Sequence, residues 1–262
     1  MHHSFLDLPK PIVCAIMAGQ TPAEMMAGCR RAVADGADGI LFDLLDWKPE
    51  FRNQEAFKPV IDAFDLPFMF CFYRNDRWKN AADDERQEVL LAAARAGADM
   101  IDVMGDLYDP SPRELTRAPE AVARQEELIE RIHAAGSHAL ISSHTRCFMT
   151  AEEVLAHLQE ASSRGADMVK IVTMADTPDE LAETVRTTML LKKELKIPFI
   201  HLCNGEYSTI HRFICGRLGC DLSFAVSDYD PRYSFPQPVI RRVREFLELC
   251  RWDVRNHLTQ KR

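Results

Sequence analysis

Residues 163–174 read "SRGADMVKIVTM", and the two halves of this stretch carry the fold and the chemistry. The first half is a helix end on glycine, then Ala-Asp, then a strand. The same order recurs in "ADGADGI" (34–40) and "ARAGADMI" (94–101). The second half is a β-forming run around Val169, Ile171 and Val172 with one charge in it, Lys170. Strands of this kind are usually covered on both faces and hold no charge. A lysine at a strand end can lay its stem on apolar surface and keep its head in water. The alternative is an amine taken out of water, where the neutral, nucleophilic form is favoured and a carbonyl carbon is its target.

Outward from this stretch the whole chain repeats one pattern, a short apolar strand followed by an amphipathic helix. The strands are expected at 11–18, 39–46, 67–74, 100–105, 138–144, 168–174, 198–204 and 221–228. Helix starts between them are marked locally. Thr21-Pro22 and Thr177-Pro178 place a capping threonine before a proline in the first turn, and Thr150 with Glu153 forms a capping box. Eight strands alternating with eight helices predict a parallel (β/α)8 TIM barrel in a single domain over residues 1–262. A doubly wound open sheet is the other arrangement of such units, but the loop after the first strand, "MAGQTPAE", has no G-x-G-x-x-G.

Composition narrows the function. The chain has 262 residues, 47% of them hydrophobic, and a net charge of −8. That acidic balance argues against a sequence-independent grip on nucleic acid. No apolar run approaches the roughly 20 residues needed to span a bilayer. The N-terminal "MHHSFLDLPKP" has no apolar signal region, and the eight cysteines form no C-x-x-C pair. The expectation is a cytoplasmic protein with reduced thiols, free of membrane, nucleic acid, metal and cofactor.

In a barrel the chemistry sits at the C-terminal strand ends and the loops beyond them. That rule selects Asp43 and Asp46, Tyr73 and Arg74, Asp102, then Ser142, Ser143 and His144, then Lys170, then His201, Cys203 and Asn204, and finally Ser227, Asp228 and Asp230. Lys170 and His144 fall on consecutive strands. Side chains alternate along a strand, so an inward Lys170 shares its face with Val172 and Met174. A lysine and a histidine together suffice for Schiff-base chemistry: the lysine makes an iminium that draws electrons, and the histidine removes the α-proton.

At these residues the sequence resembles the type I 3-dehydroquinate dehydratase family, over nearly its whole length. "ALISSHTRCFMT" (139–150) matches a strand ending S-x-H, and "ADMVKIVTM" (166–174) matches the family's Schiff-base lysine strand. "EYSTIHRFICGRLGCDLSFAV" (206–226) resembles its arginine-bearing helix and eighth strand, and "YSFPQP" (233–238) its Ser…Gln loop. The resemblance implies a (β/α)8 barrel and the dehydration of 3-dehydroquinate. Lys170 would form the imine and His144 would be the general acid/base. Arg212 would bind the substrate carboxylate with Ser234 and Gln237, a task suited to a guanidinium fork. Tyr73, Arg74, Asp46 and Asn204 are the further substrate-binding candidates, and a homodimer is the expected assembly.

The match also departs from the family. Where strand 2 should read E-W-R-x-D, this chain has "FDLLD" (42–46), which puts Phe42 in the place of the glutamate and Leu44 in that of the arginine. Asp43 has the opposite parity, so the expected wall is apolar. Tyr73 takes the arginine position after strand 3, and Met104 and Asn204 replace a glutamate and a methionine. The acid that pairs with the family's histidine has no clear match; Asp76 is the nearest. Three functions follow: dehydration of 3-dehydroquinate, the same imine chemistry on another carboxylate-bearing ketone, or a barrel that binds a carboxylate without turnover.

Overall fold

The computed structural model describes residues 3–78, 81–229 and 237–258. Eight parallel strands, β1 (Ile12–Ala18), β2 (Gly39–Asp43), β3 (Phe68–Cys71), β4 (Met100–Met104), β5 (His138–His144), β6 (Met168–Met174), β7 (Phe199–Asn204) and β8 (Leu222–Ala225), curl into a nearly closed (β/α)8 barrel. Consecutive strands pair from β1 through β7, and β8 pairs with β1. Between β7 and β8 the Asp221 amide donates to the Phe199 carbonyl at 3.0 Å, and Asp221 Oδ2 accepts from the Phe199 amide at 3.1 Å. The surrounding helices are α1 (Pro22–Ala34), α2 (Gln54–Asp62), α3 (Asp83–Ala96), α4 (Pro119–Ala134), α5 (Ala151–Ser162), α6 (Pro178–Glu194), α7 (Ser208–Leu218) and α8 (Ile240–Leu249), with a last turn α9 (Arg255–Leu258). None of the described helices is long and apolar enough to cross a membrane.

The local signals act as expected. Thr21, Thr150 and Thr177 cap α1, α5 and α6, the last two in capping boxes with Glu153 and Glu180. The Gly-Ala-Asp repeat has two parts. Gly36, Gly97 and Gly165 have φ of 92°, 105° and 89°, a left-handed turn that favours glycine. The aspartate that follows accepts a backbone amide at 2.8 Å: Asp38 from Val13, Asp99 from Phe5 and Asp167 from Ala139. For Asp38 and Asp167 that amide belongs to the preceding strand, so the repeat stitches adjacent strands at the bottom of the barrel.

Alternation along β2 and β3 sets the two layers. Phe42, Phe68 and Phe70 point to the helices, with Phe42 5.4 Å and 5.0 Å from the other two ring centres, and Phe57 of α2 packs on Phe70 at 5.1 Å. Leu41, Asp43, Cys71 and Tyr73 have the opposite parity and face the barrel axis. The strand-2 expectation is therefore corrected. Phe42 is fully buried in the aromatic layer and Leu44 in a short 3-10 turn, Leu44–Asp46, while Asp43 takes the inner wall. Asp43 closes β2 in register with Ala18 of β1 and Cys71 of β3.

Candidate active site

A cavity of about 550 Å³ opens at the C-terminal end of the strands. A larger groove of about 740 Å³ lies at the opposite end, around Pro67, Asp99 and Gly136, and holds no nucleophile paired with a base. In barrels the chemistry belongs to the C-terminal face.

Lys170 stands mid-strand in β6, 4% exposed, with Val172 beside it on the cavity wall. Its Nζ donates to Tyr73 Oη at 2.9 Å and to Asp102 Oδ2 at 3.4 Å. Tyr73 Oη donates to the same Asp102 oxygen at 2.6 Å, and Ser142 Oγ donates to Asp102 Oδ1 at 2.5 Å. Each residue is placed by its strand. Asp102 is on β4, Ser142 is the β5 residue in register with Lys170, and Tyr73 follows β3. The carboxylate compensates a buried ammonium, as it must. Burial, followed by the Asp102 charge, holds the Tyr73 hydroxyl well above its ordinary pKa, so it remains a neutral phenol.

His144 ends β5 two residues beyond Ser142, at the same cavity. Its backbone N–H and its Nδ1 both meet Glu114 Oε2, at 2.7 Å and 3.0 Å. Burial pushes the Glu114 carboxyl up, but its bonds and charge contact with His144 outweigh this and leave it below the usual range. An ionised carboxylate only accepts, so Nδ1 carries the hydrogen and Nε2 is left for a substrate proton. Burial, then the Lys170 charge, lowers the His144 pKa, and Glu114 opposes both.

Glu114 lies in the long loop between β4 and α4 and has φ 48°, a left-handed backbone. Ser143 Oγ donates to the Glu114 carbonyl at 2.7 Å, and His157 Nε2 of α5 lies 2.8 Å from that hydroxyl. Gly105 lets the loop in, since a Cβ there would sit 2.4 Å from the Glu114 carbonyl oxygen. The acid partner of His144 is thus Glu114 and not Asp76. Asp76 is buried with Arg52 and Arg86, at 3.3 Å and 3.2 Å.

Arg212 projects from α7, 3% exposed. Its three nitrogens donate to the Cys203 carbonyl, Gln237 Oε1 and Asn204 Oδ1 at 3.0, 2.9 and 2.9 Å. All three acceptors are neutral, and among the described residues no carboxylate lies within salt-bridge distance of this guanidinium. Burial lowers its pKa to about 10, still protonated near neutrality. A buried cation without an anion, held at a cavity wall, is a seat for an anionic ligand group.

The other sequence candidates divide. Tyr73, Arg74, Asn204 and Gln237 line the cavity with Lys170, His144 and Arg212. Arg74 is bonded outward to Asp83 and Asp106, at 2.7 and 2.8 Å. Asp46 is buried away from the cavity in a 2.7 Å ion pair with Arg77. Ser234 lies outside the described residues. Two charged cavity residues were not singled out from sequence, Glu114 and Arg146. Both sit in loops after strands, where the barrel rule alone gave a signal. Asp43 also faces the cavity. Burial raises its carboxyl to about 6, and among the described residues no arginine or lysine lies within 4 Å of it. No group of three or more possible metal ligands occurs among the described residues.

Comparison with known proteins places the chain in one family. Residues 13–252 match the family model described as type I 3-dehydroquinase. A 3-dehydroquinate dehydratase of Alkaliphilus oremlandii is 34% identical over 237 residues, covering 83% of this chain and 84% of that protein. The chloroplastic bifunctional 3-dehydroquinate dehydratase/shikimate dehydrogenase of Arabidopsis thaliana is 27% identical over 91% of this chain, which spans 37% of that longer protein. Among solved structures, 3-dehydroquinate dehydratase of Geobacillus kaustophilus HTA426 has the same fold, with a TM-score of 0.77 at 19% identity over 92% of this chain and 91% of that one. The type I enzyme of Clostridium difficile with covalent modified comenic acid gives 0.76 at 18% identity over 93% of each chain.

Proposed function

We propose that this chain, which belongs to the type I 3-dehydroquinate dehydratase family, is a lyase that dehydrates 3-dehydroquinate to 3-dehydroshikimate through an imine on Lys170. The observation that carries the reading is the buried Lys170 at one cavity with a His144 whose Nε2 is left free by Glu114. Arg212 supports it, as a buried guanidinium available to the substrate carboxylate.

The steps balance as follows. Lys170 Nζ attacks the ketone, and loss of water leaves an iminium. His144 Nε2 takes the proton from the adjacent carbon, and that C–H pair flows into the iminium to give an enamine. The enamine expels the β-hydroxyl, which leaves as water with the proton His144 had taken. Hydrolysis of the conjugated iminium returns Lys170 and releases the enone acid. General acid–base assistance of this kind contributes about 10²–10⁴ in rate. A cytoplasmic setting and a homodimer go with this reading, and eight free thiols suit a reducing compartment.

Asp43 bears on the substrate. It gives the inner wall a hydrogen-bond acceptor where Phe42 and Leu44 offered none, which favours a hydroxylated ring. Among the described residues no arginine or lysine is ion-paired with it, which favours the second reading, imine chemistry on a different carboxylate-bearing ketone.

The test is borohydride trapping with 3-dehydroquinate, followed by mass measurement of the Lys170 peptide and enone absorbance. Trapping on Lys170 with enone release supports the dehydratase. Trapping only with other keto acids moves the function to the second reading. Trapping that survives Lys170→Ala would overturn the mechanism.

A further inference from the structure

Lys170 has a problem that its burial creates. It sits in the cavity wall as an ammonium compensated by Asp102, and an ammonium has no lone pair to attack a ketone. A proton must leave Nζ before imine formation, and a proton must reach the carbinolamine oxygen before water departs. His144 makes no hydrogen bond to Nζ. Its Nδ1 is bound to Glu114, and it stands opposite Val172, one inward position beyond Lys170. The groups that touch Nζ are Tyr73 and Asp102.

We propose that Tyr73 and Asp102 form a proton relay for making and breaking the imine, leaving His144 to the elimination. The inference rests on the Schiff-base reading above. Tyr73 is a catalytic residue in this scheme because its hydroxyl touches the reacting nitrogen. It accepts from Nζ at 2.9 Å and donates to Asp102 Oδ2 at 2.6 Å, so the three groups form one ordered chain of hydrogen bonds. Ser142 occupies the other carboxylate oxygen and fixes which one serves the relay. Tyr73 is also turned edge-on to His144, with ring centres 5.1 Å apart, so both proton-handling groups border the same part of the cavity.

The proton count closes. A proton moves from Nζ to Tyr73 Oη while the phenol proton moves to Asp102 Oδ2, leaving a neutral amine and a neutral carboxyl. No tyrosinate forms, in keeping with the raised pKa of a phenol buried beside a carboxylate. Nζ then bonds to the carbonyl carbon, the C=O pair moves onto oxygen, and a proton passes from nitrogen to that oxygen. Asp102 returns its stored proton through Tyr73 to the hydroxyl, which leaves as water while the nitrogen pair closes the C=N bond. The charge is one positive on Lys170 at the start and one on the iminium at the end, with Asp102 ionised at both. Hydrolysis runs the same path backwards.

The experiment separates imine formation from elimination with 3-oxocyclohexane carboxylate. This cyclic keto acid can form the imine but has no β-hydroxyl to lose. Rapid mixing, a borohydride quench and mass measurement on the Lys170 peptide give the rate of imine formation at saturating keto acid. Tyr73→Phe keeps the ring and its packing and should slow this rate about 100-fold. Asp102→Asn is the second variant, of equal size and unable to store the proton, and should show the same loss; a thermal melt confirms that each is folded. His144→Ala should form the imine within a few-fold of wild type while losing enone production from 3-dehydroquinate. If wild type traps the keto acid and folded Tyr73→Phe traps it equally fast, the relay is wrong and the Schiff-base reading stands. A change only in the keto acid concentration needed, with the saturated rate intact, also rejects the relay. If wild-type Lys170 traps neither keto acid, it is the Schiff-base reading that fails.

Discussion

Replacing Glu114 by Gln isolates the pairing that prepares His144. One carboxylate oxygen receives both the backbone N–H and Nδ1–H of His144. Glutamine keeps the length, the volume and one acceptor oxygen, and so leaves the left-handed loop intact; it removes the charge. A hydrogen bond to a charged group is worth about 1.5–3 kcal/mol net and a neutral one about 0.5–1.5 kcal/mol. The difference, about 1–1.5 kcal/mol, falls on the imidazolium that forms when His144 takes the α-proton. At about 1.4 kcal/mol per factor of ten, kcat should fall about tenfold. The sign of the pH effect is also fixed. Burial and Lys170 already lower the His144 pKa and Glu114 opposes them. Removing Glu114 therefore lowers it further. His144 must be neutral to accept a proton, so the acid limb of the rate profile moves to lower pH while the plateau drops. Enone absorbance against pH measures both quantities. A variant with wild-type kcat and an unmoved acid limb would refute Glu114 as the partner of His144.

Three further outcomes test other parts of the molecule. Asp43→Asn should abolish any transition near pH 6 in the KM for 3-dehydroquinate, because the wild-type carboxyl titrates at about 6 and an amide does not; a transition that persists assigns it elsewhere. His157 and His201 are buried with pKa values of about 4 and about 3. Both are depressed below the unfolded value, so their contribution is complete above about pH 6.5 and is lost as pH falls toward those values, by about 2 kcal/mol each at pH 5. A Tm that stays flat from pH 7 to pH 5 would contradict this. Phe42→Ala should cost about 3–5 kcal/mol of stability by opening the aromatic layer, with KM unchanged; a raised KM at unchanged Tm would put Phe42 back on the substrate wall.

The fates of Asp43, Glu114 and Tyr73 show where sequence reading ends. The barrel was legible because its signals are local. A threonine three residues before a glutamate, or a glycine before Ala-Asp, acts within one turn of chain, and the structure finds these devices in place. Lys170 was legible because one charge in an apolar strand has few explanations. Asp43 was misread because facing is a long-range property. Residue-by-residue matching to the family put Phe42 inward. The register of β2 against β1 and β3 puts it outward, where Phe68 and Phe70 receive it, and this ladder is set by contacts no local pattern encodes. Glu114 was missed because a long loop has no periodicity, and its carboxylate arrives through a backbone turn that Gly105 and Ser143 admit from other parts of the chain. Tyr73 was visible as a strand-end residue and as a replacement at an arginine position, but not as a partner of Lys170. Its partners, Asp102 and Lys170, lie 29 and 97 residues away. Together these residues change the character of the departure from the family. The chain has not simply lost polar recognition on its second and third strands. It has an acceptor at Asp43 and a phenol hydrogen-bonded to Lys170 Nζ, so, under the proposed imine mechanism, the same positions that bear on the choice of ketone would also bear on how fast the imine forms.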